Sequence, residues 1–224
     1  MIEMLHTDCM QYMAALPDKS FDLAIVDPPY GIGRDGSVRT TSKHGGRKAH
    51  DFRNWDSSIP DGKYFSELFR VSKNQIIWGA NYFARYLPSS MGWIFWDKGQ
   101  RICNSDGELA FSSFSCALRV AEFNRVELLL EGTNHPTQKP VALYKWLLSR
   151  YAKPGDRILD THGGSGSICI ACHDLGYDLT WMELDADYYA AACKRYKDHA
   201  AQAVLFEPQE IRQKTYNNEF DLTS

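Results

Sequence analysis

Residues 157–184, with the sequence RILDTHGGSGSICIACHDLGYDLTWMEL, decide the fold class. The segment RILD predicts a short buried strand, THGGSGS a glycine turn, ICIACHDLG a helix that stops at Gly176, and DLTWMEL the next strand. Two strands connected through a helix make a βαβ unit, whose strands pair in parallel. The sequence therefore predicts an α/β fold.

Apolar runs elsewhere in the chain predict the remaining strands and helices. The run FDLAIV (21–26) predicts a strand that stops where two prolines follow, because consecutive prolines cannot continue a paired strand. A helix is expected over 140–151, where apolar residues recur at helical spacing and Pro140 suits the first turn. Further expected elements are strands at 74–79, 92–97 and 107–114, a helix-like segment at 80–87 and a helix at 186–200.

Length and composition predict one domain spanning 1–224. The 224 residues are 44% hydrophobic and 24% charged, which is ordinary for a globular protein. Residues about 31–60 are expected to form a mobile basic loop and residues about 205–224 a loosely held tail. The first ten residues lack the basic flank and apolar run of a signal peptide, and no run reaches the ~18 apolar residues of a membrane span. We therefore expect a cytoplasmic protein with no membrane partner.

The glycine turn has the composition of a nucleoside-binding site. Asp160 precedes a run that includes Gly164, Ser165 and Gly166, and the following helix offers free N–H groups to a ligand. Glu183 lies 23 positions beyond Asp160, near the ~20 expected for a carboxylate that binds the ribose hydroxyls. The alternative is a tight structural turn with a surface acid. On these residues the ligand is a nucleoside of open identity.

The segment Asp27-Pro28-Pro29-Tyr30 suggests a site for a planar amine. It follows a strand at the carboxyl edge of the sheet, where α/β proteins hold their ligands. A carboxylate and a stiff backbone carbonyl can accept two N–H bonds, while an aromatic ring stacks on the face of a base. Two fixed acceptors favour the geometry in which the amine attacks, which stabilises the transition state. By residue chemistry alone, such a segment is more often a plain turn.

The segment from Arg34 to Arg53, which follows the DPPY motif, is basic. It contains six bases and two acids, a local balance of +4 within a chain of net charge −3. Bases at the mouth of a pocket would meet the phosphates of a nucleic acid, although a solvated loop is the alternative. The expected DNA-binding residues are Arg34, Arg39, Lys43, Arg47, Lys48 and Arg53.

Three motifs together resemble one enzyme family. DPPY at 27–30, NHPTQKP at 134–140, and ILDTHGGSGS at 158–167 with Glu183 beyond it are similar to the S-adenosylmethionine-dependent DNA amino-methyltransferases. The order, with DPPY ahead of the cofactor motif, matches the beta class. The resemblance extends from about residue 5 to about residue 196. It implies a doubly wound, mostly parallel Rossmann-like sheet with a reversed hairpin strand, and methylation of N6 of adenine or, less often, N4 of cytosine.

The resemblance also implies roles for individual residues. Asp27 and Pro28, with Pro29 beside them, would hold the target amine, and Tyr30 would stack on a flipped-out base. The implied cofactor-binding residues are Asp160, Gly164, Ser165 and Gly166 at the methionine end, Lys139 near its carboxylate, Glu183 at the ribose, and Asp8 with Cys9 at the adenine. Asp8 belongs to 6–9, which resembles a short strand of the family. Thr161 and His162 stand where the family usually has Pro-Phe, so this turn departs from the family pattern.

The expected activity is N6-adenine methylation of double-stranded DNA, since the motif opens with Asp where N4-cytosine members more often have Ser. The alternatives are N4-cytosine methylation, methylation of another planar amine such as an RNA base or a protein glutamine amide, and an inactive cofactor-binding module. No metal site is predicted. A homodimer and a partner restriction nuclease are both compatible with the resemblance.

Overall fold

The computed structural model describes residues 1–36, 54–99, 105–123 and 137–202. The strands in these ranges are β1 (Ile2–His6), β2 (Phe21–Val26), β3 (Ser72–Trp78), β4 (Ile94–Asp97), β5 (Gly107–Ser112), β6 (Arg119–Glu122), β7 (Arg157–Asp160) and β8 (Asp178–Glu183). The α-helices are α1 (Cys9–Ala14), α2 (Gly62–Val71), α3 (Val141–Tyr151), α4 (Ser167–Leu175) and α5 (Ala186–Ala200).

The eight strands form one sheet in the order β1-β8-β7-β2-β3-β5-β4-β6. Strand β5 is antiparallel to both of its neighbours, while the other five pairings are parallel. The predicted mostly parallel sheet with a reversed hairpin strand is therefore confirmed. The neighbours β7 and β2 continue in opposite directions, β7 to β8 and β2 to β3. Their carboxyl ends thus border the crevice at which doubly wound sheets bind ligands.

The core lies on both faces of the sheet. Alternate residues of β2 belong to different buried clusters: Leu23 and Ile25 pack with α3 and α4, whereas Ala24 and Val26 pack with α1 and α2. A strand that is buried on both faces has a continuous apolar sequence, which explains the run FDLAIV. The layers therefore hold the ends of β2 and β7 in fixed positions.

Several elements differ from the sequence predictions. Residues 80–87, expected to be helix-like, form two 3-10 helices, Ala80–Tyr82 and Ala84–Tyr86. Left-handed Gly79 precedes them and Pro88 follows, which leaves little room for an α-helix. The short strand expected at 6–9 ends at His6, because the Asp8 carboxylate caps α1.

Some predictions fall outside the described residues. They are the tail at 205–224 and most of the basic loop. Among the helices of the described ranges, none has the length and apolar character needed to cross a membrane.

Candidate active site

The DPPY segment and the glycine turn meet at one edge of the sheet. Asp27 directly follows β2 and Asp160 ends β7, and these strands pair in register at Leu23–Ile158 and Ala24–Leu159. The two motifs are more than 130 residues apart in the chain, and the parallel pairing brings them to the same crevice. The amine site and the nucleoside site predicted separately thus adjoin each other.

Asp27 is engaged by two protein donors. The Tyr30 hydroxyl donates to Asp27 Oδ1 at 2.5 Å, and Lys139 Nζ forms a short ion pair with Asp27 Oδ2. Lys139 precedes α3 and its side chain is only 2% exposed. Burial raises the pKa of the Asp27 carboxyl, while the Lys139 charge opposes this rise. The structure thus places Lys139 against Asp27; the contact with a cofactor carboxylate expected from the resemblance stays a prediction.

Glu108 is a site residue that the sequence analysis missed. It lies near the start of β5, and because β5 runs opposite to its neighbours, its first residues lie at the carboxyl edge of the parallel strands. Glu108 Oε2 is 3.1 Å from Lys139 Nζ, and Lys98 Nζ donates to Glu108 Oε1 at 2.6 Å. Although burial acts against it, these two lysines lower the pKa of Glu108 to about 2. Glu108 is therefore a carboxylate at neutral pH.

The Tyr30 ring packs within a group of aromatic side chains. It stacks on Tyr82 with 5.2 Å between the ring centroids, and its edge-on neighbour is Phe83. A Cβ at Gly79 would lie 2.1 Å from Tyr30 Cε1, so that only glycine leaves space for the ring. Stacking of Tyr30 on a target base stays a prediction.

Asp56 fixes the backbone that follows the DPPY motif. This carboxylate is 2% exposed and accepts hydrogen bonds from the N–H groups of Tyr30, Gly31 and Arg34, each at 2.7 Å. Asp56 therefore holds together the two described ends of the basic loop. Sequence analysis missed it because an acid in a polar loop has no periodicity to mark it. Arg39, Lys43, Arg47, Lys48 and Arg53 lie outside the described residues.

The glycine turn is held by carboxylates at both sides. Asp160 is 2% exposed and accepts a hydrogen bond from the His162 N–H at 3.1 Å. Burial, with smaller contributions from Asp27 and Glu183, raises the pKa of Asp160 to about 8. Glu183 Oε2 accepts from the Gly164 N–H at 2.8 Å, and burial raises its pKa as well. The turn thus carries acids whose charges the surrounding protein only partly compensates.

A polar network replaces the usual Pro-Phe of the family. Thr161 Oγ1 lies 2.7 Å from the Tyr64 hydroxyl of α2 and 2.9 Å from His162 Nδ1. Burial lowers the pKa of His162 to about 4, so its imidazole is neutral at pH 7. A Cβ at Gly163 would lie 1.8 Å from the Trp181 ring, so packing requires glycine there. The side chains of Thr161 and His162 therefore have hydrogen-bond partners of their own, and the turn keeps its shape.

The remaining predicted cofactor residues lie around this turn. Asp8 caps α1, and burial together with the Asp8 charge raises the pKa of the Cys9 thiol to about 12. Gly166 has φ +70°, and the Ser165 hydroxyl lies 3.1 Å from that of Ser167 at the start of α4. Ser165 and Gly166 border the amino end of α4, which favours a ligand with acceptor groups.

The sheet order and the acid-lined crevice are those of a doubly wound α/β fold with a ligand site at its switch point. A model of the DNA methylase family matches residues 77–194, more than half of the chain. The chain therefore belongs to the DNA methylase family of N6 and N4 amino-methyltransferases. The matched segment includes Glu108, Lys139, Asp160 and Glu183, and the DPPY motif precedes it.

Named relatives and solved structures are consistent with this family. The putative methylase YubD of Escherichia coli (strain K12) is 26% identical over 87% of this chain and 90% of its own length. The DNA adenine methyltransferase YhdJ of the same organism is 26% identical over 85% of this chain and 81% of its own length. The crystal structure of the M1.HpyAVI-SAM complex is 21% identical, with a TM-score of 0.58 over 87% of this chain and 100% of that one.

A cytosine-specific enzyme shares the fold too. The structure described as PvuII DNA methyltransferase (cytosine-N4-specific) is 12% identical, with a TM-score of 0.56 over 96% of this chain and 91% of that one. At such identities these structural likenesses establish the fold and not the target base.

The cofactor of this family is S-adenosylmethionine, and the crevice fits it. The molecule carries a sulfonium, an ammonium and one carboxylate, so its net charge is positive. The pKa of Asp160, raised to about 8, marks a buried acid that a bound cation would stabilise in its charged form. Glu183, at the end of the neighbouring strand β8, would offer acceptor oxygens to the ribose hydroxyls.

Proposed function

We propose that this protein transfers a methyl group from S-adenosylmethionine to N6 of an adenine flipped out of double-stranded DNA. The observation that carries the proposal is the position of Asp27, a partly buried carboxylate next to the acid-lined crevice. Adenine is favoured because the DPPY motif opens with Asp, and YhdJ, a relative named as an adenine methyltransferase, supports this choice. The enzyme acts as a single cytoplasmic domain.

The residues of the DPPY motif act on the amine. When bound, the cofactor would supply an electrophilic methyl group, whose bond to sulfur breaks with the electron pair left on sulfur. Asp27 accepts one N–H bond of the adenine amino group, and the Pro28 carbonyl accepts the other, so that the nitrogen lone pair turns out of the ring plane. The nitrogen gains a methyl group and loses one proton, and the Asp27 carboxylate receives that proton. Burial, which raises the pKa of Asp27, suits it to this step.

The cofactor-binding residues keep the roles that the resemblance implies. Asp160 lies at the methionine end with Gly164, Ser165 and Gly166, Glu183 binds the ribose, and Asp8 and Cys9 border the adenine. We assign Lys139 to Asp27 on the basis of their ion pair. Pro29 stiffens the backbone between the acceptors and Tyr30.

A second candidate is methylation of N4 of cytosine. The similarity to the cytosine-N4-specific PvuII enzyme supports it, since the same acceptor pair could hold either exocyclic amine. Methylation of an RNA base or a protein amide uses the same chemistry, but the basic loop favours a nucleic acid.

The test is to incubate the protein with tritiated S-adenosylmethionine and unmethylated plasmid DNA, and to identify the labelled nucleoside after digestion. We expect N6-methyladenine. N4-methylcytosine would replace the adenine assignment by the second candidate. Label in added RNA or protein, with none in DNA, would contradict the DNA substrate.

The basic loop gives a prediction about salt. If its bases contact phosphates, the double variant Arg47→Ala/Lys48→Ala lowers the slope of log affinity against log salt by about 0.9 per lost contact, for all DNA sequences. Fluorescence anisotropy at several salt concentrations measures this slope. The matched control removes two exposed lysines of α5, Lys194→Ala/Lys197→Ala, and leaves the slope unchanged. An unchanged slope in the loop variant would mean that these two bases do not touch the DNA backbone.

A further inference from the structure

Glu108 lies within reach of both donors that occupy Asp27. We propose that Glu108 is a positioning residue, which accepts the Lys139 ammonium and the Tyr30 hydroxyl when the target amine binds Asp27. The inference rests on the proposed function and adds to it a residue outside the DPPY motif.

The first step of the argument is that Asp27 is a constrained acceptor. One of its oxygens accepts from the Tyr30 hydroxyl and the other pairs with Lys139. A carboxylate bound to a lysine is a weaker base toward a new N–H donor, because the positive charge already stabilises its negative charge. Asp27 therefore binds the amine best when at least one of its present donors has moved away.

The second step is that Glu108 is the acceptor that these donors can reach. Its Oε2 atom is 3.1 Å from Lys139 Nζ and 3.3 Å from the Tyr30 hydroxyl oxygen. Both donors therefore stand between two carboxylates, and small side-chain rotations move them from Asp27 to Glu108. No change of the backbone is needed.

The third step is that Glu108 is itself fixed and charged. Lys98 binds its other oxygen at 2.6 Å, so Oε2 stays directed to the cluster. The two lysines keep the pKa of Glu108 at about 2, and it can thus accept hydrogen bonds throughout the working pH range. Two acids and two lysines also balance in charge, and a transfer of the donors leaves that balance unchanged.

The charge of Glu108 also affects the titration of Asp27. The titratable groups that face Asp27 or Glu108 are Tyr30, Tyr64, Lys98, Lys139, Tyr144 and Asp160. Among them, Lys139 lowers the pKa of Asp27, whereas Glu108 raises it. Loss of the Glu108 charge should therefore lower the pKa of Asp27, and loss of a lysine charge should raise it.

The test is the pH dependence of kcat in Glu108→Gln, measured by methyl transfer to plasmid DNA at saturating cofactor. We expect kcat at neutral pH to fall about tenfold, the lower end of what loss of an outer partner costs at metal sites. The acid limb of the kcat profile should move to lower pH, because this limb reports the pKa of Asp27. Cofactor affinity, measured by calorimetry, should stay as in the wild type.

A second variant is expected to move the acid limb of the pH profile in the opposite direction. Lys98→Met removes a positive charge from the outer side of the cluster and leaves Glu108 in place, so the acid limb should move to higher pH. This variant also carries the test if Glu108→Gln does not fold. The matched control is Asp174→Asn, which breaks an ion pair with Lys145 and His199 away from the crevice and should leave the profile unchanged.

The outcomes separate this inference from the proposed function. An unchanged kcat in Glu108→Gln, or a lower kcat with an unmoved acid limb, overturns the inference while the wild type remains an active methyltransferase. A wild type that transfers no methyl group to DNA overturns the proposed function and the inference with it.

Discussion

Replacing Asp27 with alanine is expected to lower the rate of methyl transfer by about 10²–10³-fold, the usual cost of removing one acceptor or donor that acts on the transition state. The target amino group would lose one of its two proposed acceptors and the group proposed to receive its proton. Lys139 would keep Glu108 as a partner at 3.1 Å, so the variant should not leave a buried charge unpaired. The loss should therefore appear in kcat and not in stability.

Single-turnover transfer of tritium to DNA measures this rate, and calorimetry measures the affinity for S-adenosylmethionine. The affinity should remain close to that of the wild type, because Asp160 and Glu183 are intact. The matched control is Asp22→Ala, an acid of the same strand that pairs with Lys73 outside the crevice. Wild-type turnover in Asp27→Ala would exclude the catalytic assignment.

The elements around the site were predictable where the sequence signal is local. FDLAIV before two prolines, RILD before a glycine turn, and DLTWMEL after Gly176 each mark a strand or its end within ten residues. The structure confirms these three strands, the last of them ending at Glu183. The reversed strand was implied by the family resemblance, and β5 confirms it. The single helix-like segment predicted at 80–87 was wrong, since left-handed Gly79 and Pro88 bound a stretch that forms two 3-10 helices.

The contacts inside the site were not predictable because they join distant segments. Lys139 meets Asp27 across 112 positions, and Glu108 meets Tyr30 across 78. The sequence around GELAF (107–111) does not indicate that Glu108 faces a lysine, because this contact depends on the direction of β5 and on the sheet order. The family motif implied that Lys139 lies near the cofactor carboxylate, whereas its partner in the structure is Asp27. The charge network around Asp27 therefore depends on the tertiary fold, and the sequence analysis identified only some of its residues.

Replacing Glu183 with alanine is expected to weaken the binding of S-adenosylmethionine by about 1–3 kcal/mol, the usual cost of losing a charged hydrogen-bond partner. In the structure both carboxylate oxygens also accept backbone N–H bonds, one from Gly164 and one from Asp185, each at 2.8 Å. In the structure Glu183 therefore braces the glycine turn, and the proposed ribose contact would use its remaining lone pairs.

A ligand comparison separates these two functions. S-Adenosylhomocysteine and its 2′-deoxy analogue should differ in affinity for the wild type, and this difference should vanish in Glu183→Ala if the carboxylate binds that hydroxyl. If Glu183 only braces the turn, both ligands weaken equally and the difference persists. Glu3→Ala, which removes an acid that accepts from Thr180 on the neighbouring strand, is the matched control and should leave both affinities unchanged. Equal calorimetric affinities of Glu183→Ala and the wild type for S-adenosylmethionine would rule out the ribose role, because a ribose acceptor cannot be removed without loss of its hydrogen bonds.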